Sequence, residues 1–297
     1  MNHHGGNLAD FGIDTGSLAG PLHGKLQAVR DAGFGQVMLW ASELVGHPDG
    51  LEAALAAVKT SGLRVTGLQV LRDFEGLSGE PHQYKVDMAK SMLALSAALG
   101  CDLLLVRSST SAHASTDSAA LARDLRKLAM LALPMNIRIA YQAVSWGRSV
   151  QEFTQAWDLV CQADMPNLGL GLNAFHLLAS QTPLADLELL EGPRIFLVQL
   201  ADFLWPALAS AQERMDTSRH LRVFPGEGAH SEALAALVRQ LYALGYRGDY
   251  SFEVFNSDYR QMPPERVARR AWQAAQWLGE DVLRRSVPLP NQIRLRR

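Results

Sequence analysis

The chain has 297 residues, 48% of them hydrophobic and 20% charged, with a formal net charge of -2 at pH 7. That is an ordinary globular composition, long enough for a large core and compatible with one barrel-sized domain. It excludes the strongly basic footprint of a general nucleic-acid binder, and no apolar run reaches membrane-spanning length. The opening MNHHGGNLAD has no apolar signal core, so a cytoplasmic location is the expectation. Cys101 and Cys161 have neither metal-type nor redox-type spacing and read as buried free thiols.

Strand and helix signals alternate along the whole chain. Leu8–Asp14 reads as a strand, Leu22–Ala32 as a helix closed by Gly33, Gln36–Trp40 as a strand, and Gly50–Thr60 as a helix closed by Gly62. Leu63–Leu71 is rich in β-branched residues, and Pro81–Leu99 is an amphipathic helix with proline at its start and Gly100 at its end. Asp102–Arg107 is a nearly all-apolar strand, as a parallel strand covered on both faces would be. Ser118–Leu131 (helix), Ile137–Tyr141 (strand) and Val150–Gln162 (helix) lead into the strand that opens NLGLGLNAFH, Asn167–His176. A short helix at Pro183–Leu190, a strand at Arg194–Leu200, a helix at Ser231–Leu244, a strand at Tyr250–Phe255 and a helix at Pro263–Leu278 complete the series. Repeated strand–helix units predict a single α/β domain, a (β/α)8 TIM barrel over residues 1–285, followed by a basic tail, 286–297, carrying Arg294, Arg296 and Arg297. The longest irregular connection, Asp202–Gly228, reads as a lid or substrate loop.

Polar side chains gather where strands end: Gln142 after the fifth, Asn173 and His176 after the sixth, Gln199 in the seventh and Glu253 in the eighth. In a barrel of this type the C-terminal strand ends build the active site. P-loop, dinucleotide-glycine, HExxH and GxSxG patterns are missing from the sequence.

The strings GLQVLRDFEG (Gly67–Gly76), AYQAVSWGRSV (Ala140–Val150), NLGLGLNAFH, FLVQLAD (Phe196–Asp202), RHLRVFPGEGAH (Arg219–His230) and GYRGDYSFEVFN (Gly245–Asn256) resemble the xylose isomerase-like barrel superfamily. Within it they look most like the bacterial 3-dehydroshikimate dehydratases, and the likeness runs from about Phe11 to Leu283. The resemblance implies a metal-dependent lyase or isomerase that moves a proton next to a carbonyl through an enolate, using Mg, Mn or Co. Its ligand set of Glu, Asp, Gln and Glu falls on Gln142, Asn173, Gln199 and Glu253, so two carboxylates have become amides. Carboxylate charge supplies much of the affinity for a hard divalent ion, so weak or absent metal binding is the expectation.

The resemblance also places His176 and Glu253 as catalytic acid and base, and Arg72 and Arg222 as clamps for a substrate carboxylate. Each has a plainer reading. The arginines could pair with Asp73, Glu75 or Glu227, and Gln142, Asn173 and Gln199 could be either a hydrogen-bonding floor for substrate hydroxyls or a self-satisfied polar plug. Trp40, Trp146 and Trp205 could wall a sugar-sized pocket or pack in the core. The expected partner is a small carboxylate or polyhydroxy molecule, with no nucleic acid and no membrane. A homo-oligomer is common in such barrels, but no residue specifies one. The alternative is a catalytically silent paralogue that binds an acidic metabolite or a partner subunit. The abasic-site endonuclease branch of the superfamily is disfavoured by the low charge and the neutral ligand set.

Overall fold

The structure is a computed structural model, and residues 8–285 are described. Eight parallel strands close into a barrel. They are β1 (Phe11–Asp14), β2 (Gln36–Trp40), β3 (Arg64–Arg72), β4 (Leu103–Arg107), β5 (Arg138–Gln142), β6 (Leu168–Asn173) and β7 (Ile195–Leu200), with β10 (Tyr250–Phe252) as the eighth. Closure comes from β1, which pairs with β2 on one side and β10 on the other. Helices α1 (Leu22–Ala32), α3 (Gly50–Ser61), α4 (Gly79–Leu99), α5 (Ser118–Ala132), α6 (Phe153–Ala163), α9 (Ser231–Ala243) and α10 (Pro264–Gln276) supply the covering layer. Short helices α2 (Ala41–Val45) and α7 (Ala174–Ala179) follow β2 and β6 directly. The basic tail lies outside the described residues.

Two cores follow from the period-two alternation of each strand. Leu168, Leu170 and Leu172 of β6 belong to the core between sheet and helices. The intervening glycines sit where there is no room for a side chain: a Cβ on Gly169 would meet the Arg194 carbonyl oxygen at 2.4 Å, and one on Gly171 would meet Leu105 at 2.9 Å. A second cluster of Met38, Leu103, Leu105, Ala140, Phe196 and Leu197 fills the bore.

Three expectations need correction. Asp202–Gly228 is not an irregular connection: it forms an antiparallel ribbon of β8 (Asp202–Phe203) and β9 (Arg222–Val223) joined through α8 (Ala211–His220). Ser210 caps α8 in a reciprocal capping box with Glu213, a signal already present in the sequence. Pro183–Leu190 contains only a 3₁₀ turn, Leu184–Leu189. Cys101 is buried but Cys161 is exposed, because it sits off the stripe through which α6 packs, Phe153, Ala156, Trp157, Val160 and Ala163.

Candidate functional site

Along β4, Leu103 and Leu105 point into the bore, so Arg107 at the C-terminal end does too. The same parity brings Gln142 of β5, Asn173 of β6, Gln199 of β7 and Glu253, one residue past β10, into one inward layer. They form a continuous polar network. Gln142 Nε2 donates to Gln199 Oε1 at 2.8 Å, and Asn173 Nδ2 donates to the same oxygen at 3.0 Å and to Glu253 Oε2 at 2.8 Å. Gln199 Nε2 donates to Gln69 Oε1 at 3.2 Å. Asn173 Oδ1 turns away to cap α7 through the Phe175 N–H at 3.0 Å.

Two arginines complete the layer. Arg107 donates through Nε to Gln142 Oε1 at 3.1 Å, and through Nη2 to Glu253 Oε1 in a very short contact. Arg222, fully buried, donates through Nη1 to Glu253 Oε2 at 2.7 Å and to its carbonyl oxygen at 3.1 Å, and through Nη2 to Ser218 Oγ. Its guanidinium carbon lies 4.4 Å from the Phe175 ring centroid and 5.5 Å from that of Phe255. Burial alone would raise the Glu253 pKa, but the two guanidinium groups and the Asn173 amide overcome it, and the carboxyl is held below its ordinary range.

This donor set does not fit a divalent cation. Both Glu253 oxygens are held by arginines, the Gln142 oxygen is taken by Arg107, and the amide nitrogens of Gln142 and Asn173 point into the centre. A cation there would meet two positive guanidinium groups and N–H donors in place of lone pairs. Among the described residues no group of three or more His, Cys, Asp or Glu is placed to hold a metal.

Above the layer opens a cavity of about 790 Å³, with Arg107 in its wall. Trp40, Trp146 and Phe255 give it aromatic sides. Arg72, Arg219, Arg260 and His220 also line it, as does an ion pair of Lys25 with Glu43. The Arg72, Arg219 and Arg260 guanidinium groups have no protein hydrogen-bond acceptor among the described residues. The Arg72 guanidinium rests 5.8 Å from the Trp40 ring, and its pKa is shifted down by burial and by Arg107 nearby.

Of the site residues expected from sequence, Arg72 lines this cavity. Gln142, Asn173, Gln199 and Glu253 are brought together beneath it, but Glu253 is sealed by its ion pairs and is poorly placed to act as a base. Arg222 does not reach the cavity, so the expected direct clamp on a substrate carboxylate becomes a buried counterion for Glu253. His176 is also buried: Nδ1 accepts from the Ser145 N–H at 3.3 Å, Ser145 Oγ lies 3.1 Å away, and Nε2 has no partner among the described residues. Burial, with help from Arg222 and Arg107, holds its imidazole well below the usual range and therefore neutral. Trp205 is 42% exposed and lies outside the cavity.

Several residues escaped the sequence reading: Arg107 and Asp14 at strand ends, and Lys25, Glu43, Arg219 and Arg260 around the cavity. Arg107 was legible from the parity of LLLVR, but an arginine ending an apolar strand reads as a surface residue. Asp14, at the end of β1, is fully buried; Oδ1 accepts from the Gly16 N–H at 2.8 Å and from Trp40 Nε1, and Oδ2 has no partner among the described residues. Burial, and then Glu253, push its carboxyl well above the ordinary range.

Known proteins place this geometry in context. A family model described as a xylose isomerase-like TIM barrel matches residues 26–280. A 3-dehydroshikimate dehydratase of Pseudomonas aeruginosa is 40% identical over 84% of this chain and 39% of its own length; that of Pseudomonas putida is 36% identical over 90% of this chain and 41% of its own. This chain thus spans about two fifths of the length of these relatives. A solved structure described as a xylose isomerase-like TIM barrel/4-hydroxyphenylpyruvate dioxygenase fusion protein superposes with a TM-score of 0.85 at 34% identity, over 95% of this chain and 45% of that one. The IolI protein, solved with a bound zinc atom, shares the fold at a TM-score of 0.77 and 20% identity, over 94% of this chain and 100% of that one. The chain belongs to the xylose isomerase-like TIM barrel family.

Proposed function

We propose that this barrel binds a small polyhydroxy carboxylate of the 3-dehydroshikimate class in the cationic cavity, and acts on it as a lyase or isomerase without a divalent metal. The observation that carries the reading is the ring of Arg72, Arg219 and Arg260, whose guanidinium groups have no protein acceptor among the described residues, around a cavity walled by Arg107. Unpaired guanidinium groups beside aromatic walls suit a planar carboxylate on a ring, which they hold by paired N–H donors. The relatives named 3-dehydroshikimate dehydratase act, by that name, on a polyhydroxy carboxylate, and those named inosose isomerase on a polyhydroxy ketone without the carboxylate.

In such chemistry a proton leaves the carbon beside a carbonyl and negative charge develops on the oxygen. A preorganised donor at that oxygen lowers the barrier. Arg107 is the cavity residue whose charge is fixed from behind, by Glu253 and Gln142. The Lys25–Glu43 pair lines the cavity, and the Glu43 side chain is 21% exposed there, so this pair is assigned the proton transfer. The test is incubation with 3-dehydroshikimate in chelator-treated buffer, followed by ultraviolet absorbance of the catechol acid product and by calorimetry. Binding with turnover supports the full reading.

A second reading, a silent binder, is favoured by one observation: both acid–base residues implied by the family resemblance, Glu253 and His176, are buried away from the cavity. Binding without turnover selects it. Absence of binding removes the ligand class from both.

A further inference from the structure

We infer that Arg107 is a built-in cation: its guanidinium takes over the positive charge that a divalent ion would bring to this layer, and it bars that ion from entering. The inference deepens the metal-free reading above and rests on it. It stands on three observations. The first is position. Arg107 pairs in register with Gln142, and its side chain links the residues on which two of the expected ligands fall, Gln142 through Nε and Glu253 through Nη2. The second is charge. The ligand set implied by the family carries three carboxylates, and here Glu253 is the single acid left among the four positions. Two negative charges are removed, and exchanging a doubly charged ion for one guanidinium removes one positive charge. The layer therefore stays within one unit of its former balance. Without Arg107, Glu253 would face Arg222 alone; with it, each carboxylate oxygen has its own cation. The third is access. Arg107 also lines the cavity, so the charge that closes the layer from above is the charge a ligand meets. The amide changes and the arginine are then one concerted exchange: the Gln142 amide oxygen accepts from the guanidinium without adding negative charge, where carboxylates would suit a metal.

The consequence separates this idea from simple loss of ligand charge. If charge loss were the whole story, restoring the carboxylates would restore the metal. With Arg107 in place it should not. The experiment compares the full-length Gln142→Glu/Asn173→Asp variant with the same variant carrying Arg107→Ala, using Mn²⁺ as the probe, with calorimetry and water-proton relaxation as readouts and circular dichroism as the control for folding. The expected result is that the triple variant binds Mn²⁺ about tenfold or more tightly than the double variant. Equal affinity of the two would overturn the inference. The parent protein supplies a readout that needs no folded variant: it should show no saturable Mn²⁺ site, and saturable binding abolished by Glu253→Gln would also overturn it. Failure of 3-dehydroshikimate to bind would remove the proposed substrate class and leave the metal comparison intact.

Discussion

Removing the Arg222 guanidinium should be among the most damaging single changes in the barrel. Arg222 and Glu253 are both fully buried, and their closest approach is 2.7 Å. At that separation the gross attraction is about 6 kcal/mol for an effective dielectric constant near 20. Desolvation of both groups offsets much of it, so the net worth of the pair is small; the cost appears when one partner is removed and the other stays buried and charged. For a buried pair that cost is about 3–5 kcal/mol. Arg107 still neutralises Oε1 of Glu253, which places Arg222→Met near the lower end of that range. The loss of ring contacts with Phe175 and Phe255 acts in the same direction. The assay is urea denaturation of Arg222→Met, Glu253→Gln and the double variant at neutral pH. The double variant should be less destabilised than the sum of the two single changes, because the uncompensated charge is gone. A loss below about 1 kcal/mol for Arg222→Met, the scale of an exposed pair, would refute the buried-counterion role.

Four further outcomes are expected. Burial pushes the Glu75 carboxyl up to about 7, against hydrogen bonds from the Ser109 N–H and Tyr141 hydroxyl. A raised pKa favours the protonated folded form, so this contribution is present below the ordinary carboxylate range and is lost as pH rises through about 7; Glu75→Gln should remove a pH-dependent loss of about 3 kcal/mol, read from denaturation at pH 5 and pH 8. His176 shows the opposite sign: its imidazole is held low, the unfolded chain takes up the proton first, and stability falls as pH drops below the ordinary histidine range. The thermal midpoint of His176→Phe should therefore depend less on pH between neutrality and pH 5, and an unchanged slope would count against a buried neutral ring. Arg72→Ala should weaken binding of the carboxylate ligand by about tenfold, as loss of one charge-assisted contact does, while leaving urea stability within about 0.5 kcal/mol. Glu43→Gln should lower turnover more than it lowers affinity, and an equal fall in both would remove it from the proton-transfer step.

Much of the barrel was legible because strand and helix periods are local. The alternation in LGLGL showed a strand, and the close contacts of Gly169 and Gly171 explain why glycine alternates there. The ribbon and helix inside Asp202–Gly228 were missed because β8 and β9 pair over only two residues each, too short for a period to register. Around the site, strand-end position correctly singled out Gln142, Asn173, Gln199 and Glu253 as neighbours. What position could not give was direction of contact. Arg222 looked like a substrate clamp because the family resemblance matched it to an anion-binding arginine, but its anion is Glu253. Arg107 was hidden by the opposite bias: three leucines and a valine drew attention to the core, though Leu103 and Leu105 fixed the inward parity of position 107. Asp14 gave no signal beyond ending a strand.

The central claim is an anion site that works without a divalent ion, and ligand titration across metal content tests it most directly. 3-Dehydroshikimate would be titrated into protein stripped with chelator and into protein supplied with Mn²⁺, Co²⁺ or Zn²⁺, with heat and product absorbance followed together. The expected result is saturable binding of the same affinity in all four samples, weakened by Arg72→Ala and by Arg107→Ala. Binding or turnover that appears only with added metal, and disappears again with chelator, would contradict the claim.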